Sequence, residues 1–150
     1  MQALSSKGPA HTPVVRDVMT RNPVTFDSEA RLSDAVALMD ERHIRHMPVV
    51  HEGKLVGLLS DQDVHDALPS VLTLKDPEAR KRSLFITRIS QVCNKEPTVL
   101  DPGTRVVDAI TAMRRTRHGC CPVVEGNEVV GILTSGDLIN LLERMLTGRA

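Results

Sequence analysis

The chain has 150 residues, the size of one compact domain, and its 19 basic side chains are matched by 19 acidic ones. With no Trp or Tyr and only 2 Phe, it has neither the cationic excess nor the stacking rings that a general nucleic-acid binder needs. No stretch approaches the roughly 18 apolar residues that span a bilayer, and Cys93, Cys120 and Cys121 cannot all pair, so a cytoplasmic protein with reduced thiols is expected.

Residues 1–13 are polar and contain Gly8 and Pro9, and they read as a flexible tail. Pro23 then precedes a short β-favouring run, Val24-Thr25-Phe26. Leu32, Ala35, Val36 and Met39 follow at i, i+3, i+4 and i+7, the stripe of an amphipathic helix. Met47 to Val50 reads as a strand, and His51-Glu52-Gly53-Lys54 as a tight turn with a residue suited to positive φ. The return run, Leu55 to Leu59, is almost wholly aliphatic, as expected of a strand covered on both faces. A second helix starts at Ser60. Residues 69–87, charged and carrying Arg80-Lys81-Arg82, read as a connector with room for a helical turn.

The order then recurs. Pro48-Val49-Val50 returns as Pro122-Val123-Val124, an offset of 122 − 48 = 74 residues. The same offset carries Pro23 onto Pro97, Asp34-Ala35 onto Asp108-Ala109, Val56-Gly57 onto Val130-Gly131 and Asp63 onto Asp137. Thr98 to Leu100, the stripe Val106, Ala109, Ile110 and Met113, the strands Cys121 to Val124 and Val129 to Leu133, and a helix from Thr134 complete the second copy. Two β-α-β-β-α repeats are therefore expected, residues 14–68 and 88–146, with 147–150 as a tail. One such unit buries too little apolar surface to stand alone. The predicted fold is α/β (α+β), with the repeats packed sheet to sheet about a pseudo-two-fold axis.

Pro23-Val24, the Asp34 to Met39 helix, Pro48-Val49-Val50 and Val56-Gly57-Leu58-Leu59-Ser60-x-x-Asp63, each with its counterpart, together resemble the CBS domain. The pair resembles stand-alone bacterial CBS-pair proteins, or Bateman modules, such as the acetoin-utilisation B type. That resemblance implies a regulatory module binding AMP, ADP, ATP or S-adenosylmethionine in clefts between the repeats. It also implies a homodimer, with the signal carried by repeat packing or dimer arrangement. The ribose and phosphate ligands it points to are Ser60 and Asp63 in one copy, Thr134 and Asp137 in the other. Arg45, His46, Arg117 and His118 become phosphate candidates, and Val24, Met47, Val49, Thr98, Cys121 and Val123 candidates for an adenine pocket.

The chemistry suits these roles. A carboxylate can accept both hydroxyls of a ribose diol, and Arg presents a planar fork of donors to phosphate oxygens. Each residue also has a plainer reading. Ser60-x-x-Asp63 and Thr134-x-x-Asp137 match the capping box that opens a helix without any ligand. The basic residues suit a helix C-terminus, and the aliphatic ones suit a core. The closing segment, Leu138 to Met145, suits either a dimer interface or its own core.

His118, Cys120 and Cys121 carry zinc-type donor atoms, but no spaced Cys or His pair accompanies them, so no metal is expected. No nucleophile–base constellation, P-loop or dinucleotide glycine fingerprint stands in the sequence, so an enzyme is not expected either. The alternative is an interaction scaffold of the same fold with no nucleotide. Retention of Asp63 and Asp137 counts against it.

Overall fold

The computed structural model describes residues 12–69, 76–116 and 119–149. In the first half, α1 (Val15–Val18) and β1 (Thr20–Arg21) lead into β2 (Phe26–Asp27), α2 (Leu32–Arg42), β3 (His46–His51), β4 (Lys54–Ser60) and α3 (Asp61–Ala67). A linking helix, α4 (Pro77–Ile86), is followed by a 3₁₀ turn (Ile89–Gln91), α5 (Val106–Met113), β5 (Cys120–Glu125), β6 (Glu128–Thr134) and α6 (Ser135–Thr147). The strands form two three-stranded sheets, in the orders β2-β3-β4 and β1-β6-β5.

Local chemistry accounts for these elements. Helix α2 buries Leu32, Ala35 and Met39, and α5 buries Val106, Ala109 and Met113, the expected apolar stripes. Helix α2 stops at His43, which is left-handed (φ 54°) and returns its N–H to the Met39 carbonyl. In the β3–β4 turn Glu52 and Gly53 both have positive φ (49° and 77°), as a tight hairpin requires. The two hairpins even slip register at equivalent places, Val49/Val50 and Val123/Val124.

Three features differ from the sequence reading. The β-favouring run after Pro23 forms a strand only over Phe26–Asp27, parallel to β3, and its counterpart is a single bridge from Leu100 to Val123. Thr98 and Val99 face solvent, and a proline-led edge has few donors to offer. The connector holds a full ten-residue helix, because Asp76 caps it (Glu78 N–H to Oδ1, 2.9 Å) and Pro77 fits its first turn. Strand β4 is covered only from Gly57 to Ser60, while Val56 is 37% exposed. The sheets meet at that buried end, where Leu58, Cys120 and Ile132 pack together. The tail at 1–11, residues 70–75 of the connector and Ala150 lie outside the described residues.

The lead-in segments cross over. Val15 and Val18 sit in the second core with Val106, Cys121 and Leu133, while Ile89 and Cys93 sit in the first with Leu32, Met47 and Leu59. The crossing satisfies the N-termini of α2 and α5, neither of which has a side-chain cap. Leu32 N–H donates to Thr87 O (2.9 Å), and Val106 N–H to Pro13 O (3.0 Å). Strand β1 pairs antiparallel with β6, Thr20 opposite Ile132, and Asn94 exchanges two 2.9 Å bonds with Leu58 on β4. Glycine allows this approach, since a Cβ on Gly57 would stand 2.8 Å from the Asn94 carbonyl oxygen. Among the described residues no helix is long and apolar enough to cross a membrane.

Candidate functional site

Ser60, fully buried at the end of β4, caps α3. Its Oγ accepts from the Asp63 N–H at 3.0 Å, and Asp63 Oδ2 accepts from the Ser60 N–H at 2.9 Å. This reciprocal box holds the half-buried Asp63 carboxylate at the wall of a cavity of about 410 Å³. The volume lies in the range of small-molecule sites. Leu58 and Asp63 come from the first repeat; Asn94, Glu96, Pro97, Thr98, Arg115, Thr116 and Cys120 come from the second lead-in and repeat. The lining thus offers two carboxylates, Asp63 and Glu96, and the Arg115 guanidinium, while Leu58 and Cys120 supply apolar surface.

The box recurs at the start of α6, where Thr134 Oγ1 accepts from the Asp137 N–H (3.3 Å) and Asp137 Oδ2 from the Thr134 N–H (2.9 Å). Oδ2 also accepts from the Thr134 hydroxyl at 3.1 Å. The Thr20 hydroxyl on β1 also donates to Asp137 Oδ1 at 2.9 Å.

The CBS domain family matches residues 15–70 and 89–144, one copy in each half. The chain belongs to the CBS-domain family. It is 29% identical to the CBS domain-containing protein YhcV of Bacillus subtilis, over 91% of each chain. Among solved structures, it superposes with a TM-score of 0.76 on a protein assigned to acetoin utilization (AcuB) from Vibrio cholerae, at 29% identity and over 91% and 95% of the two chains. The complex of CBSX2 with AMP superposes with a TM-score of 0.70 at 25% identity, over 89% and 98% of the chains.

Within this CBS pair the remaining candidates are dispersed. Thr98 lines the cavity beside Asp63. Met47, Val49, Cys121 and Val123 are fully buried in the two cores, and Val24 is packed against the first, which is their plainer reading. The cause is the two-residue period of a strand. On β5, Cys121 and Val123 face the helices, so Cys120 faces the other sheet and the cavity. Arg45 is exposed and lines a separate groove of about 540 Å³ with His43, His65, Asp61 and Arg80. His46 is half-buried opposite Ser60, and Arg117 and His118 lie outside the described residues. Thr116, Asn94 and Glu96 are not among the sequence candidates, and Arg115 stands in the same basic run before Pro122 but ranks there behind Arg117 and His118. Nearness to the strand favours Arg117 on paper, whereas the turn after α5 brings Arg115 and Thr116 to the cleft.

Among the described residues no three His, Cys, Asp or Glu side chains converge on a possible metal position. Burial pushes the Cys120 thiol up to about 12, with the neighbouring Cys121 and Asp137 adding to it, and burial alone pushes Cys121 up to about 11. Both are therefore neutral thiols at physiological pH, and a neutral thiol is a poor nucleophile. A thiol whose folded pKa exceeds its unfolded value stabilises the fold fully below about pH 9, and that contribution is lost as pH climbs toward 12. The urea midpoint is expected to fall above pH 9, and Cys120→Ala should flatten that decline. An unchanged slope would remove Cys120 as its source.

Proposed function

We propose that this CBS pair is a regulatory module that binds an adenosine-containing ligand beside Asp63 and signals through the packing of its repeats and of a homodimer. The observation that carries this reading is the mixed ancestry of one cavity, lined by Asp63 from the first repeat and by Thr98 and Arg115 from the second half. A ligand seated there touches both repeats, so its affinity depends on how they pack. Differential affinity of that kind is what couples occupancy to arrangement.

Asp63 is assigned to the ribose diol, Arg115 to phosphate, and Leu58, Thr98 and Cys120 to the base. The AMP carried by CBSX2 supports this ligand class. For the homodimer, α6 leaves Ile139, Leu142, Met145 and Leu146 exposed, and α5 leaves Val107 and Ile110. Apolar helix faces of this kind suit a second copy. The cavity's mix of charged, polar and apolar lining residues suits the binding of a small molecule. The even charge balance and the absence of a membrane-length helix among the described residues fit a cytoplasmic module.

The test is isothermal titration of the purified protein with AMP, ADP, ATP and S-adenosylmethionine at fixed salt. Saturable micromolar binding, about −8 kcal/mol, is expected for one of them. Silence across the panel would overturn the reading and leave an interaction scaffold.

A further inference from the structure

Resting on that reading, we propose that Glu96 makes the cavity beside Asp63 selective for a nucleoside monophosphate over the di- and triphosphate. Glu96 and Arg115 both line this cavity, and both are exposed to solvent. Among the described residues neither side chain has a hydrogen bond or an ion pair, with the other or with any neighbour. The lining thus presents a guanidinium free to take a phosphate and a carboxylate free to repel the next one. The neighbouring Lys95 is not part of that lining.

The fold does not need this carboxylate. The Glu96 backbone closes the local turn, its N–H donating to Asn94 Oδ1 at 3.0 Å. Asn94 is bound to Leu58 by two 2.9 Å bonds, and Pro97 confines Glu96 to extended backbone, so the residue is held at the cavity from both sides. The position 74 residues earlier is Asn22, so the repeat itself asks for no acid here. What the acid changes is the field that a ligand's phosphates meet. AMP brings about two negative charges near neutral pH, and each further phosphate adds about one more. Arg115 is the one cation among the described lining residues, so added phosphates go unbalanced there and meet Glu96 as like charge. Water screens groups this exposed, and the penalty is modest, roughly three- to tenfold in affinity for ATP against AMP.

Calorimetric titration of the full chain with AMP, ADP, ATP and S-adenosylmethionine in EDTA tests this, on wild type, Glu96→Gln and Glu96→Lys. Wild type should rank AMP above ADP and ADP above ATP. Glu96→Gln should raise the ratio of ATP to AMP affinity roughly threefold, Glu96→Lys should raise it further, and added salt should shrink both gains. A ratio that neither substitution moves, a wild type that prefers ATP, or binding of S-adenosylmethionine alone would overturn the inference and leave the nucleotide reading standing. So would ATP that overtakes AMP once Mg²⁺ replaces EDTA and loses that lead in Glu96→Gln, because the carboxylate would then hold a cation for the phosphates. If no ligand of the panel binds wild type, the nucleotide reading itself fails and takes this inference with it.

Discussion

Asp63→Asn is expected to weaken AMP binding by about 1.5–3 kcal/mol, a factor of roughly 10 to 150, while leaving the fold almost as stable as before. The carboxylate has two jobs in this structure. One oxygen closes the capping box by accepting from the Ser60 N–H at 2.9 Å, and the group as a whole faces the cavity shared with Thr98 and Arg115. Asparagine retains a carbonyl oxygen for the cap but loses the charge and one of the two acceptors that a diol uses. Asp63→Ala removes both, so it should bind as poorly and also lose about 1 kcal/mol of stability through the cap. Calorimetry and urea denaturation on the two variants separate the jobs. If Asp63→Asn binds as wild type, the carboxylate does not hold the ligand and the ribose assignment fails.

Ile89→Ala is expected to destabilise the fold by about 2–5 kcal/mol, as large as any single truncation in either core. Ile89 belongs to the lead-in of the second copy, yet it is fully buried in the first core, and its N–H donates to the Ala30 carbonyl at 3.0 Å. Removing it leaves a cavity beneath Leu32 and Leu59 and loosens the strap that ties one repeat to the other. Because Val15 does the reciprocal service for the second core, the two repeats should unfold together in one transition. A loss below about 1 kcal/mol would show that the crossed lead-in is not part of the first core. Residues 14–68 expressed alone would lack Ile89 and Cys93, which sit in that core.

Much of this was legible in the chain itself. The 74-residue offset survives in hydrogen bonds as well as in residue types, from Leu32 to Thr87 and from Val106 to Pro13. The α2 and α5 stripes, the hairpin turns at Gly53 and Gly126, and both capping boxes lie within a few residues of their partners. Propensity and period act over that distance, so the sequence determined the repeat, the element order and the local caps.

What it left undecided is which surface each buried residue meets. Period alone marks Ile89 and Val15 as apolar and does not say that each crosses to the other repeat's core. It marks Cys120 and Cys121 as adjacent strand residues and does not say which faces the cleft. Nor does it join Thr20 to Asp137, two side chains 117 residues apart in the chain. With two nearly identical sheets available, each lead-in has two similar edges to pair with. Tertiary structure chose between them through sheet pairing, burial and the close approach at Gly57 and Gly131, and in doing so it brought Asp63 to the cavity it shares with the second half.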